Sequence, residues 1–315
     1  MSIMNNGVIS RGIFIPPINV GNNIINNITD AVLDTVKTVN QDGSVTYDIN
    51  DKDVIGVTQS IISESLNRYV TVDEIAADIE KKFGPDASIV LISPIYSRNR
   101  FSIILKGIAR AAKKLIFCMP MVDEVGNPCG VNPFTGVNIM EYYKVICEME
   151  NCECVMDDKE WRNRKYPVLD CRLHNKQIPK PTKMIYWHID EICSDVSSDW
   201  GLLGSGRDSS ERIRLFPGVE TSNKICKIIK KTIRKRTGKD VIVCVYGNGC
   251  LKDPVYGVWQ FADPVTMPGY TDKELLETVS YGSTPILHRD LLASLMNLTS
   301  RDETPIVLIQ NYFKD

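Results

Sequence analysis

The chain has 315 residues, of which 43% are apolar and 24% are charged, and its formal net charge is -2. These values are typical of a globular protein and exclude a collagen, a coiled coil and a wholly disordered chain. No apolar run reaches the ~18 residues that a membrane span needs. The near-zero net charge gives no general attraction to nucleic acids or anionic membranes.

The N terminus and the cysteines indicate the cellular compartment. Residues 1–12 show no basic segment followed by an apolar one, so we expect no secretory signal. Without such a signal, the ten cysteines are expected to be reduced thiols of a cytoplasmic protein.

The first part of the chain predicts strands that alternate with helices. Two consecutive prolines make residues 12–18 an extended edge segment, because proline cannot donate a ladder hydrogen bond. Apolar residues recur at helical spacing from Ile24, and residues 54–58 are an apolar run typical of a buried strand. Thr71 and Glu74 form a capping-box pattern, which predicts that a helix begins there.

The middle of the chain continues this alternation. It predicts a strand over residues 88–92, a helix over 101–113 and a strand over 114–119, which indicates α/β structure. A further helix is predicted over residues 140–149, whereas residues 162–181 are basic and irregular in pattern.

The last third has one strong helix and one strong strand. Residues 199–207 are predicted to be a glycine-rich loop. Residues 222–236 form an amphipathic helix whose lysines and arginines are either a solvated face or a cationic wall for phosphorylated ligands. This helix has no aromatic residues of the kind a nucleic-acid site would need. A buried strand follows over residues 240–246, and two helices and a last strand are predicted over residues 272–279, 290–296 and 305–310.

The sequence carries no P-loop, no GxSxG nucleophile motif and no GxGxxG motif after a strand. For the histidines, His174, His188 and His288, a structural role is favoured. The spacing of Cys147, Cys152, Cys154 and Cys171 does not match paired zinc knuckles, and it favours small buried side chains over a metal site.

Two polar loops follow predicted strands, over residues 121–128 and 247–254. Ligands of open α/β sheets bind beyond the carboxyl ends of strands. Carboxylate and amide oxygens suit Mg²⁺ or Mn²⁺, and glycines let the backbone approach a phosphate. The same residue types build ordinary turns, so both interpretations stay open at this level.

Six segments in order along the chain resemble the coenzyme F-420-0:gamma-glutamyl ligase superfamily. They are most similar to its ligase-like branch in bacteria that need not make that coenzyme. The order and coverage of the segments carry the resemblance, since no single motif is diagnostic. The segments are residues 13–23 (IFIPPINVGNN), 51–79, 93–117, 121–128 (MVDEVGNP), 198–218 and 240–265 (beginning DVIVCVYGNG).

The resemblance implies an α+β fold with mixed sheets and two lobes. Residues 1–138 are expected to form an N-terminal α/β lobe with the nucleotide and metal loops, and residues 139–238 a more basic second lobe. Residues 239–315 are expected to return to the core. The resemblance also implies a homodimer, with neither nucleic acid nor membrane as a partner.

The activity that the resemblance implies is amide ligation. GTP phosphorylates a carboxylate, and the amino group of glutamate attacks the acyl phosphate. Phosphorylation is needed because a carboxylate would otherwise have to expel oxide, and divalent metal ions offset charge on the transferring phosphoryl group. The chain is therefore expected to join a glutamate-like amino acid to a small-molecule carboxylate, using GTP or ATP and Mg²⁺ or Mn²⁺.

The resemblance implies nucleotide contacts at five positions. Ile15, Pro16 and Pro17 match the family's N-terminal nucleotide segment. Ser60 and Ser63 fall in the next nucleotide-contact region, where the family's lysine has no obvious counterpart.

Other positions match metal and substrate contacts. Asp123 matches the family's metal-ligating aspartate and Asn127 its substrate-contacting asparagine, while Glu124 is a competing ligand because the interval is one residue longer here. Arg98 and Arg100 lie where the family approaches an anionic substrate, and are either a carboxylate clamp or a solvated loop.

The second metal position departs from the family pattern. Asn248 stands where the nearer branch has aspartate, and Asp253 is the residue that could compensate for the missing charge. This departure leaves an alternative function open, a catalytically impaired nucleotide-binding regulatory protein on the same fold. A third possibility is an interaction scaffold that neither binds nor turns over nucleotide.

Overall fold

The computed structural model describes the following residues: 7–21, 23–92, 101–118, 130–131, 136, 138–156, 165–171, 183–195, 200–207, 209–217, 219–246, 251–252, 259–260, 276–277, 286–287 and 304–313. The chain divides into two compact units. The first comprises residues 1–67, 217–250 and 262–315, and the second comprises residues 68–216 and 251–261. The boundaries expected after residues 138 and 238 fall inside the second and the first unit, respectively.

The helices are α1 (Ile24–Thr35), α2 (Gln59–Ser65), α3 (Val72–Phe83), α4 (Phe101–Ala111), α5 (Ile139–Met149) and α6 (Val219–Thr237). The strands up to the middle of the chain are β1 (Ile9–Ile13), β2 (Lys37–Val39), β3 (Val45–Tyr47), β4 (Val54–Thr58), β5 (Tyr69–Thr71), β6 (Ala87–Ile92), β7 (Ala112–Cys118), β8 (Glu153–Met156) and β9 (Val168–Asp170). The later strands are β10 (Tyr186–His188), β11 (Trp200–Arg207), β12 (Arg212–Pro217), β13 (Ile242–Tyr246), β14 (Leu251–Lys252), β15 (Trp259–Gln260), β16 (Leu276–Glu277), β17 (Ile286–Leu287) and β18 (Ile306–Gln310).

The first unit is built on a four-stranded sheet in the order β1-β18-β4-β13. The central pair β4 and β13 is parallel, whereas β18 runs antiparallel to β4 and β1 antiparallel to β18. Every residue of β4, β13 and β18 is buried, as expected for continuous apolar runs covered on both faces. The edge segment predicted over residues 12–18 is confirmed only at residues 12–13, where it overlaps the edge strand β1, and both prolines follow the end of that strand.

Helices α1 and α6 pack against each other in this unit and present fully buried residues, among them Ile28, Val32 and Ile233. The prediction of an amphipathic helix is therefore confirmed, since the apolar side of α6 belongs to the core. The lysines and arginines of α6 are exposed or half-buried, and Arg236 forms an ion pair with Asp30 of α1.

The second unit contains a five-stranded, wholly parallel sheet in the order β10-β9-β6-β7-β8. The chain proceeds outward from β6 through β7 to β8, with α4 and α5 as connections. It then returns to the other side of β6 for β9 and β10. Helix α4 packs closely on α3 at Gly107, which has no side chain. A Cβ at this position would lie only 2.5 Å from Cγ2 of Ile75.

The α+β fold class is confirmed, because the described residues form both helices and mixed sheets. The predicted loop over residues 199–207 was wrong, since residues 200–207 form β11 in a sheet of order β11-β12-β5. Glycines weaken strand propensity, but pairing with a neighbouring strand supplies hydrogen bonds that no local pattern reveals.

Two further sequence interpretations fail for the same reason. Within residues 162–181, which appeared irregular in pattern, Val168–Asp170 form β9 between two parallel neighbours. Within the predicted helix 272–279, residues 276–277 pair with residues 286–287 as antiparallel strands. The predicted helix over 290–296 lies outside the described residues. None of the helices in the described part of the chain has the length and apolar character to cross a membrane.

Candidate functional site

The second unit has a topological switch point at the carboxyl ends of its parallel strands. Strand β6 lies between β7 and β9. From β6 the chain continues to β7 and β8 toward one edge of the sheet, whereas from β9 it continues to β10 at the other edge. Ile92, the last residue of β6, is paired with Cys118 of β7 and with Asp170 of β9. Crevices of this kind are where open α/β sheets bind their ligands. We call this row of strand ends, which also includes His188 of β10, the carboxyl edge.

A buried polar cluster lies at the carboxyl edge. Asp170 is 0% exposed and His188 is 1% exposed, although both side chains are polar. The Tyr186 hydroxyl donates to Oδ2 of Asp170 at 2.6 Å, and Nδ1 of His188 lies 3.9 Å from the same oxygen. The Tyr186 and His188 rings meet edge to face, with centroids 5.2 Å apart.

The strand pattern explains why these side chains meet. Successive side chains of a strand point to opposite faces, so Tyr186 and His188 share one face of β10. Parallel pairing sets His188 beside Asp170, and Tyr186 beside Val168 on the same face. Val168 belongs to a buried apolar cluster that Tyr186 packs against. Apolar packing thus fixes the tyrosine ring while its hydroxyl reaches the carboxylate.

The energetics of burial point to a functional cluster. A carboxylate is costly to bury unless charge-assisted hydrogen bonds compensate, and a separation of 2.6 Å is typical of a hydroxyl that donates to a carboxylate. The backbone of His188 is held as well, because its N–H donates to Oε2 of Glu191 at 2.8 Å. The cluster therefore holds a carboxyl group and an imidazole in defined positions at the carboxyl edge.

The donor chemistry of this cluster fits a hard cation in part. Carboxylate oxygens are the preferred ligands of Mg²⁺ and Mn²⁺, and Asp170 supplies one. Among the described residues, no group of three or more His, Cys, Asp or Glu side chains is arranged to hold a metal ion.

Five of the sequence-predicted metal and substrate residues follow β6 or β7 in the chain. Arg98 and Arg100 follow β6 in the chain, and Asp123, Glu124 and Asn127 follow β7. These five residues lie outside the described ranges, so their assignments stay predictions. The strands that precede them end side by side at the carboxyl edge.

Sequence reasoning missed Asp170. The signal available was a short apolar run, Val168 and Leu169, followed directly by an aspartate. Asp123, by contrast, was identified because it lies in a polar loop after a predicted strand and matches the family's metal-ligating aspartate. Because the residues around this short run are basic and irregular in pattern, the run was not identified as a strand and Asp170 was not selected.

The first unit contains the predicted nucleotide contacts. Strands β4 and β13 end side by side at Thr58 and Tyr246, and α2 begins directly after β4. Ser60 is half-buried, and its hydroxyl donates to Oγ1 of Thr58 at 3.2 Å. Ser63 is fully buried, and its hydroxyl donates to the Gln59 carbonyl at 3.1 Å.

The other predicted contacts of this unit differ in exposure. Ile15 is half-buried, while Pro16 and Pro17 are exposed. Asn248 follows β13 in the chain, whereas Asp253 belongs to the second unit. Both residues lie outside the described ranges.

Comparison with known families identifies a relationship along most of the chain. The family model described as F420-0:Gamma-glutamyl ligase matches residues 12–311. The match spans both compact units and includes every candidate residue named above. No curated protein matches the chain significantly.

Proposed function

Because the chain belongs to the F420-0:gamma-glutamyl ligase family, a family of ligases that join glutamate to a carboxylate, we propose that it is a metal- and nucleotide-dependent amide ligase. It joins a glutamate-like amino acid to a small-molecule carboxylate, with GTP or ATP as the phosphoryl donor. The observation that carries the metal-dependent part of this proposal is the buried Asp170 carboxylate at the switch point of the parallel sheet.

The reaction proceeds in two substitutions. An oxygen of the acceptor carboxylate attacks the terminal phosphorus of the nucleotide, and the nucleoside diphosphate leaves. The amino group of the second substrate then attacks the acyl carbon, phosphate leaves, and the amine loses a proton. The protein contributes mainly positioning and electrostatic stabilisation, as in other phosphoryl transfers.

Each candidate residue has a role in this scheme. Asp170, with Asp123 or Glu124, would hold Mg²⁺ or Mn²⁺, which supplies charge stabilisation for the transferring phosphoryl group. Tyr186 and His188 orient the Asp170 carboxylate by the contacts described above.

The remaining predicted residues bind the substrates. Arg98 and Arg100 clamp an anionic group, and Asn127 contacts the acceptor. The nucleotide contacts are Ile15, Pro16, Pro17, Ser60 and Ser63.

The test uses the purified full-length protein with GTP or ATP, glutamate, Mg²⁺ or Mn²⁺ and a panel of carboxylic acids. We expect release of inorganic phosphate that requires both the acid and the amino acid. Asp170→Asn keeps the shape of the side chain but removes its charge, so turnover should fall by about 100-fold or more. The matched control is Asp195→Asn, because Asp195 has an 81% exposed side chain in the same unit. Equal activity of the two variants would contradict the role of Asp170.

A second candidate function is favoured by Asn248, which lacks the charge expected at the second metal position. A regulatory protein that binds nucleotide without turnover would show binding by calorimetry and no phosphate release with any acceptor. Asn248→Asp separates the two functions. A gain of turnover indicates an impaired enzyme, while a loss of existing turnover indicates a ligase adapted to asparagine.

The assembly is also part of the proposal. We expect a homodimer, as the family resemblance implies, and sedimentation of the intact protein tests it. A single monomeric species at micromolar concentration would contradict this expectation.

A further inference from the structure

Three cysteines meet where α5 ends and β8 begins. Helix α5 closes with Asn151 at a φ of 57°, in the left-handed region, where asparagine is tolerated better than most residues. The Cys152 N–H donates to the Cys147 carbonyl at 2.8 Å, and the Asn151 N–H donates to the Glu148 carbonyl at 3.1 Å. This is a Schellman motif, which brings the side chains at its two ends into contact. Here those two side chains are Cys147 and Cys152.

Cys154 joins this pair from the strand. It lies two residues beyond Cys152, and both Cys152 and Cys154 interact with the Cys147 thiol. Cys147 and Cys152 are buried, at 0% and 3% exposure, whereas Cys154 is partly exposed. Within the described residues, Cys154 is the only cysteine that is not buried.

The surroundings shift the pKa values of Cys147 and Cys154 in opposite directions. Hydrogen bonds with Cys152 and Cys154, together with burial, raise the pKa of Cys147, so this thiol keeps its proton. The hydrogen bond from Cys147 lowers the pKa of Cys154, and the Lys144 charge acts in the same direction against burial, Glu148 and Glu141. A partly exposed thiol with a lowered pKa beside a thiol that keeps its proton is the arrangement of oxidation-sensitive cysteines, in which one sulfur reacts and its neighbour resolves.

We propose that Cys154 is a site of oxidation by hydrogen peroxide and that Cys147 converts the oxidised residue to a disulfide. The Cys154 sulfur attacks the peroxide oxygen, the O–O bond breaks, and sulfenic acid and water form. The Cys147 sulfur then attacks the Cys154 sulfur, the S–O bond breaks, and a second water leaves. Two thiols are oxidised, one peroxide is reduced, and the Cys147–Cys154 bond links the end of α5 to β8.

Cys193 provides an internal comparison in the same unit. It is buried, and its thiol donates to the Glu74 carbonyl at 3.6 Å. Burial, assisted by the negative charge of Asp78, raises the pKa of Cys193 to about 12. This thiol is therefore protonated at neutral pH and should react with peroxide far more slowly than Cys154.

The sequence makes the test direct. Trypsin cuts after Lys144 and Lys159, so one peptide, residues 145–159, carries all three thiols and no other cysteine. The folded full-length protein is treated with a small molar excess of hydrogen peroxide, its remaining thiols are alkylated after denaturation, and the peptide is analysed by mass spectrometry. We expect a peptide with one alkylated cysteine and two fewer hydrogens, which dithiothreitol converts to the triply alkylated form.

A second digestion after glutamate assigns the bond. Glu148, Glu150 and Glu153 separate the three cysteines, so a Cys147–Cys154 disulfide links the outer fragments and releases the Cys152 fragment alkylated. At the same peroxide dose, the oxidised fraction of Cys193 should be at least about 10-fold smaller than the oxidised fraction of the three-cysteine cluster.

Variants establish the roles. Cys147→Ser should stop disulfide formation and leave a sulfenic acid on Cys154 that dimedone traps, while Cys152→Ser, the matched control, should still form the bond. Three alkylated thiols in the treated wild-type protein, or oxidation of Cys193 at the same dose as Cys154, would overturn the proposal. A bond from Cys152 that forms equally well in Cys147→Ser would overturn the role of Cys147.

Discussion

Asp53 should hold the C-terminal strand to the core of the first unit. This aspartate is 2% exposed and directly precedes β4. Its carboxylate accepts hydrogen bonds from the Asn50 N–H at 2.8 Å, the Asn311 N–H at 3.1 Å and Nε2 of Gln310 at 3.3 Å. One side chain therefore connects the turn before β4 with the end of β18. Replacement by alanine removes every one of these acceptors.

The size of the effect follows from these contacts. A hydrogen bond to a charged group contributes about 1.5–3 kcal/mol, and the two shorter bonds make the larger contributions. Water that enters the vacated space compensates in part, so we expect Asp53→Ala to cost roughly 3–4 kcal/mol. Asp53→Asn keeps one acceptor oxygen but loses the charge, and its expected cost is about half of that.

Hydrogen exchange measures this prediction locally. If β18 opens more readily by ~3 kcal/mol, the amides of Ile306–Gln310 should lose about 100-fold in protection. Asp42→Ala is the matched control, because the Asp42 carboxylate accepts hydrogen bonds from Ser44 in an exposed turn. Unchanged exchange of β18 in Asp53→Ala would show that the carboxylate does not hold the strand, and the reasoning from buried acceptors would fail.

Three further substitutions test other contacts. Tyr186→Phe removes the hydroxyl that orients Asp170. In the phosphate-release assay, kcat should therefore fall by about 10-fold or more while KM changes little. An unchanged kcat would exclude a positioning role for Tyr186. Thr71→Ala removes the side-chain cap of α3 and should cost about 1 kcal/mol, measured by urea denaturation. Gly107→Ala should destabilise by roughly 1–3 kcal/mol in the same assay, because the new Cβ would overlap Ile75. A more stable alanine variant would show that the two helices separate at little cost.

Local structure was predictable wherever its cause is local. The capping box at Thr71 and Glu74 joins residues three positions apart, and the structure contains both of its reciprocal hydrogen bonds. The apolar runs that form β4 and β13 were also identified correctly, because burial on both faces demands continuous apolar sequence. The family resemblance, which rests on ordered segments, was likewise accessible and is confirmed over residues 12–311.

Features that depend on distant partners were not predictable in this way. Strand β11 is rich in glycine, and its identity depends on pairing with β12. Residues 276–277 show a helical pattern, yet they pair with residues 286–287.

The candidate site depends most on the tertiary structure. Asp170, Tyr186 and His188 come from adjacent parallel strands, and their meeting point depends on β9 lying beside β6 rather than beside β8. Strand order is a property of the whole sheet, since each pairing is stabilised by hydrogen bonds between segments far apart in the chain. The sequence by itself determined the family and those elements whose cause is local. Only the tertiary structure decided which strand ends share an edge, and hence that a buried carboxylate lies at the switch point.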